Sequence, residues 1–136
     1  MTWGPNAPAY EDISLSAKKG SNEYILAVIR RAYPGSWLPA GEEQIERCAA
    51  PYFRLVSRKN GRLDYIETMN QWDRVWKWSA RKVIPSLKMV PNFLTDPDVR
   101  YKLESLREGY NKVCFIREVM DHQRLIFDAI ETDPQS

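Results

Sequence analysis

This sequence offers a metal ion almost nothing: one histidine, His122, stands apart from two cysteines, Cys48 and Cys114. An ordinary zinc site needs several such ligands close together, so it is excluded. Both cysteines sit in apolar sequence, which predicts two buried reduced thiols rather than a disulfide. Long apolar runs are also missing. No window approaches the roughly 18 residues of a membrane span, and no charged-then-apolar leader is seen, so the expected location is cytoplasmic. The 6 glycines never gather into a phosphate-cradling loop, and neither a nucleophile elbow nor an internal repeat appears. An excess of one charge is absent too. Lys plus Arg number 20 against 18 for Asp plus Glu, a net of +2, which argues against nucleic acid as a partner.

What remains is ordinary globular material. At 136 residues, with 43% hydrophobic and 28% charged side chains, the chain can bury one core. Residues 1–11, rich in proline, read as a flexible tail, residues 12–132 as one domain, and 133–136 as a second tail. Ile13 and Leu15 alternate with small polar residues in a short strand pattern. Ser21 is placed to cap a helix with Ile25, Val28, Ile29 and Ala32 on one face, which Pro34 stops at Tyr33. A stiff corner follows, "YPGSWLPAG". Glu42 and Glu43 then open a short helix with Ile45, Cys48 and Ala49 inward, ended by Pro51.

"YFRLVSRKNG" reads as a strand closed by Asn60-Gly61, although helical continuation past Pro51 is conceivable. From Leu63 to Val83 the spacing of Tyr65, Met69, Trp72, Trp76 and Ala80 is helical. "TDPD" suggests Thr95 as a cap, with Pro97 in the first turn and Asp98 at the capping-box position. Val99, Leu103, Leu106, Tyr110, Val113 and Ile116 then form the apolar face of a long helix. "RLIFDAIE" either extends that helix to residue 131 or makes a terminal strand after a break near Asp121-His122, and pattern alone leaves both open. The residues by themselves give an α/β or mostly-α domain and name no function. The aromatic row and Cys114 read as core, and His122 as exposed or at a helix end. The "SARKV" and "SRKNGR" clusters read as solvated faces.

The order of the pieces resembles the C-terminal half of the cyclopropane-fatty-acid and mycolic-acid cyclopropane synthases, which are S-adenosylmethionine-dependent methyltransferases. The residues that carry the likeness are Tyr33-Pro34-Gly35, Leu38-Pro39, Tyr52-Phe53, Tyr65, Thr68 and Trp72, with "YNKVC" further on. The likeness covers roughly residues 12–131. It implies strands at 52–58 and about 123–131. The fold would be a partial Rossmann-like methyltransferase fold of about three strands with four helices, the alternative being a mostly-α bundle.

The resemblance also implies what is missing. The glycine-rich half that grips the methyl donor has no counterpart here, so this chain alone should bind no cofactor. S-adenosylmethionine would come through a partner chain. Where the family has a glutamate before the Leu-Pro step, this chain has Trp37. Where the family has a histidine before the Tyr of the "DYIET"-like segment, it has Asp64, whose charge would repel a bicarbonate base. The family's active-site tyrosine matches Tyr110, the expected catalytic residue, while Trp37, Asp64 and Tyr65 are expected to line the substrate pocket.

The function implied is the acceptor-side wall or lid for methyl or methylene transfer to an unsaturated lipid-like acceptor, within a hetero-oligomer of lipid metabolism that makes at most peripheral membrane contact. Alternatives are a non-catalytic interaction module, which self-associates through an exposed edge at "DISLS", and a DNA-binding winged-helix-like domain over residues 21–66, which the modest charge disfavours.

Overall fold

The computed structural model describes residues 1–35, 38–75, 91 and 95–130, and it is mixed α/β. Its strands are β1 (Thr2–Trp3), β2 (Phe53–Asn60), β3 (Met120–Asp121) and β4 (Gln123–Ala129). Its α-helices are α1 (Asn22–Ala32), α2 (Glu42–Ala49), α3 (Arg62–Val75), α4 (Val99–Glu108) and α5 (Tyr110–Ile116). A 3-10 turn lies at Tyr10–Asp12. The strands form two antiparallel pairs, β1 with β3 and β2 with β4.

Helix α1 is built as its sequence dictates. The Ser21 hydroxyl accepts from the Tyr24 amide at 3.3 Å, which satisfies one orphan donor of the first turn. Ile25, Leu26, Val28, Ile29 and Ala32 are all buried. The helix closes at Tyr33, before Pro34. Its apolar face meets Tyr110, Cys114, Phe115, Val119 and Met120, and these two segments are the core.

The N-terminal residues, expected as a tail, carry β1. Thr2 is 2% exposed, and the Trp3 amide donates to the Pro39 carbonyl at 3.1 Å. Gly4 allows the chain to run this close: a Cβ there would lie 2.1 Å from the Glu118 carbonyl oxygen. The strand expected at Ile13 and Leu15 does not form. The Ser14 hydroxyl accepts from the Ser16 amide at 3.1 Å and the Ala17 amide donates to the Ser14 carbonyl, so local hydroxyl bonding turns the chain instead. Ile13 and Leu15 still pack on the core from that turn.

The expected long helix is two helices. Gly109 adopts φ 63°, a left-handed conformation that favours glycine, and it separates α4 from α5. The break separates the helical phases of the two helices, so they share no continuous apolar face: Leu103, Leu106 and Ile116 are exposed while Tyr110, Cys114 and Phe115 are buried. Thr95 does not cap α4. Its hydroxyl donates to the Pro91 carbonyl, whereas Asp96 accepts from the Asp98 amide at 2.9 Å and also holds Lys102. That Lys102 contact, with the Asp98 amide, keeps the Asp96 carboxyl below its usual range.

Segment 123–129 is a strand. It pairs with β2 from Phe53↔Ala129 to Asn60↔Gln123, across a bulge between Leu55 and Ser57. Both faces of this ribbon reach solvent along most of their length. Arg58 ties it to α2 through Glu42 at 2.8 Å and Glu46 at 3.0 Å. Two readings of packing are corrected here. Trp72 is 57% exposed, because α3 turns its Tyr65–Met69 edge and not its Trp72 edge to the core. Cys48 is exposed, because α2 lies over the ribbon's rim and buries none of its own residues. Trp76, Trp78 and Ala80 lie outside the described residues.

Candidate functional site: an apolar cavity beside two tyrosine clusters

The side chains of α1 that face Tyr65 and Phe115 do not close on them completely. Between them lies a cavity of about 430 Å³. Trp3, Tyr10 and Ile13 wall it from the N-terminal segment, Leu26 and Ile29 from α1, and Leu38 from the corner. Tyr65 and Met69 of α3, Phe115 of α5 and Met120 of β3 add to the apolar lining, with Met1 and Tyr33 also at the wall. Arg30 and Asn111 are the polar side chains at this wall, apart from the tyrosine hydroxyls. Arg30 lies over the Tyr10 ring at 4.9 Å, a cation–π contact that keeps the guanidinium at the rim. A space of this size and lining suits a largely hydrocarbon ligand with one polar end.

Tyr65 was expected at the pocket from the sequence, and its ring joins the cavity to a second feature. It tilts against Phe115 at 4.8 Å on one side and stacks on His122 at 5.0 Å on the other. The expectation of an exposed or helix-end His122 is corrected by this stack. Its Nδ1 is shielded from solvent and has no hydrogen-bond partner among the described residues. Burial lowers the imidazole pKa, helped by the N-terminal amino group and Arg124 against the opposing pull of Asp121 and Asp64. His122 is therefore a neutral ring at neutral pH.

Tyr110 is buried, but it is not among the described residues that line the cavity. Its hydroxyl donates to Glu104 Oε1 at 3.1 Å, and the Tyr24 hydroxyl donates to the same carboxylate at 3.0 Å. Lys19 stands 3.6 Å away. Burial works to raise the Glu104 pKa, yet the two tyrosine bonds and Lys19 outweigh it and leave the carboxyl below its usual range. The same burial, with the Glu104 bond, pushes the Tyr110 phenol up to about 12. A phenol held so firmly in its neutral form is a donor and not a base. The cluster joins α1 to α4 and α5, and its first effect is to fix them together.

Asp64 does not reach the cavity wall. It is half exposed and pairs with Arg124 at 3.3 Å and Lys59 at 4.0 Å. Of the four residues singled out from the sequence, the fold brings Tyr65 to the cavity, places Tyr110 behind it and leaves Asp64 outside. Trp37 lies outside the described residues. The corner residues Pro34 and Gly35 line a more polar depression with Arg30, Arg31 and Asp98.

Sequence reasoning missed Glu104, because the expected helix face put Leu103 and Leu106 inward and so pointed their neighbour out. The signal for it was Gly109, which marks where the phase is reset. It missed Trp3, because a proline-rich start was read as tail. Among the described residues, no group of His, Cys, Asp and Glu is arranged to hold a metal, and no helix is long and apolar enough to cross a membrane. Compared with family models, with curated proteins and with solved structures, the chain matches none.

Proposed function

We propose that this chain is the acceptor-binding part of a methyl- or methylene-transfer enzyme of the cyclopropane synthase type, with S-adenosylmethionine held by a second chain. The observation that carries the reading is the apolar cavity with Tyr65 in its wall. An unsaturated acyl chain is the acceptor class that such a lining favours, since each buried methylene contributes about 0.8 kcal/mol. Arg30 at the rim is placed to meet a carboxylate or phosphate head. The strands at 53–60 and 123–129, antiparallel to each other, lie where the sequence likeness requires strands, and this adds support.

Trp3 supplies the test. A cis-monounsaturated fatty acid brominated along its chain should quench part of the tryptophan emission saturably. Trp3→Phe should remove that part, and Met69→Trp, which fills the cavity, should weaken the binding. Absence of saturable quenching in the folded wild-type chain sinks the reading. Calorimetry with S-adenosylmethionine and the chain alone should give no heat of binding, and a clear signal would overturn the two-chain arrangement.

A second reading has its own support. Tyr110 is sealed onto Glu104 and Asp64 is turned to the ribbon, so the expected active-site groups do not converge. This favours a module that keeps the pocket, binds the apolar ligand or a protein partner, and performs no chemistry. Product formation from the acyl acceptor in co-purified native complex separates the two, since only the first reading yields a methylated or cyclopropanated chain.

A further inference from the structure

We propose that two copies of this chain associate through β4, by antiparallel strand pairing about a two-fold axis at Ile126. Strand β4 has β2 as its partner on one side. The Ile130 amide donates to the Tyr52 carbonyl at 3.0 Å, and the His122 carbonyl accepts from the Gly61 amide at 2.8 Å. The even-numbered residues thus direct their backbone groups toward β2. By the alternation of an antiparallel ladder, the N–H and C=O of Leu125 and Phe127 point to the outer edge, where no partner exists among the described residues.

The sequence of this edge is complementary to itself. An axis at Ile126 sets Leu125 of each copy opposite Phe127 of the other, and these are residues whose backbone groups face outward. They can exchange both hydrogen bonds on each side of the axis. Ile126, which is 59% exposed, meets its own counterpart at the non-hydrogen-bonded position, where side chains approach most closely. The same register places Arg124 of each copy opposite Asp128 of the other. A shift of two residues either way puts Arg124 or Asp128 against Ile126, and a shift of one sets outward groups against inward ones. Only one register satisfies both the backbone and the charges. A closed two-fold pair also leaves no further free edge on β4.

Strand β2 does not compete as the self-pairing edge. Its ladder is interrupted by the bulge between Leu55 and Ser57. Pairing with a second β2 about that bulge sets Arg54 against Arg58 of the other copy, a like-charge contact at each side.

Sedimentation equilibrium of the purified full chain over a range of concentrations should show a monomer–dimer equilibrium. Arg124→Asp and Asp128→Arg alone should each raise the dissociation constant by about tenfold or more, because each sets like charges across both sides of the axis. Mixed in equal amounts, the two variants should form a heterodimer of near wild-type strength. Ile126→Lys and Ile126→Glu, at an exposed position that folding does not need, repeat the logic at the axis: weak alone, restored when mixed. A wild-type chain that stays monomeric at every concentration overturns the proposal, as do single variants that dimerise like wild type or mixtures that recover nothing. The pairing does not rest on the acceptor-binding reading. A monomer that still shows saturable quenching by the brominated acid overturns the dimer alone.

Discussion

The α1–α5 core and the β2–β4 ribbon are held by different physics. Phe115, Val28 and Val119 are shielded almost completely, and the core they form is stabilised by removing hydrocarbon from water. The ribbon buries little on either face and is held by its backbone ladder and by Arg58 bridging to α2. Two-stranded ribbons are marginal by themselves in water. The core can therefore stand on this chain's own side chains, whereas the ribbon gains most from whatever joins it. The cavity lies on the core side of that division and the β4 edge, unpaired among the described residues, on the other, so the proposed ligand and the proposed second copy would act on separate parts of the molecule.

Substitutions that probe the two regions separately should expose the contrast. Phe115→Ala removes a buried ring from the core and should cost about 3–5 kcal/mol in urea unfolding. Ile126→Ala on the ribbon should change monomer stability by no more than about 0.5 kcal/mol. Comparable losses at the two positions would mean that the ribbon is as well buried as the core, contrary to its exposure.

Tyr110→Phe is next in size. It deletes one of two phenol donors to Glu104, and a hydrogen bond to a charged group is worth about 1.5–3 kcal/mol. A spectrophotometric titration makes the same point without mutation, since the Tyr110 phenol should ionise near 12. Because the folded-state value is raised, the stability it contributes is present below the ordinary tyrosine range and lost as pH rises from about 10 toward 12. Loss of the late step in Tyr110→Phe assigns it.

His122 gives a smaller effect of opposite sense. Its folded-state pKa is depressed, so unfolding takes up a proton below the ordinary imidazole range. The stability linked to it should be intact at neutral pH and decline as pH falls through and below about 6.5. His122→Gln should flatten that slope in chemical denaturation curves at successive pH values. The smallest change is expected for Arg58→Ala, at no more than about 1 kcal/mol, because both of its ion pairs are substantially exposed. Hydrogen exchange should show faster opening in β2 and β4 and no change in α1.

Much of this was legible in the residues, and the failures have causes. The boundaries of α1 and α2 follow from Ser21, Pro34 and Pro51, whose effects are local. The α4–α5 face was misread because the left-handed residue Gly109 divides the segment into two helices that do not share one apolar face. Tyr110 and Val113 therefore meet the core while Leu103 and Leu106 before the break do not. Gly109 was visible but its φ was not. The strand at Ile13 lost to a serine turn, a competition between two local options of similar strength. Of the site, Tyr65 was found through its segment, whereas Glu104 and Trp3 depend on which distant elements meet.

By itself, the sequence determined where α1 and α2 begin and stop, which side of α1 is apolar, and that β4 reads Arg-Leu-Ile-Phe-Asp, with opposite charges placed symmetrically about Ile126. Capping, proline geometry and two-fold complementarity are properties of a few neighbouring residues. Only the tertiary structure decided that Trp3 and Met120 would wall one cavity with Tyr65, that Tyr24 and Tyr110 would share one carboxylate, and that one edge of β4 would be left unpaired among the described residues. Those outcomes join residues far apart in the chain, and their free energy comes from packing and desolvation that no local segment experiences alone.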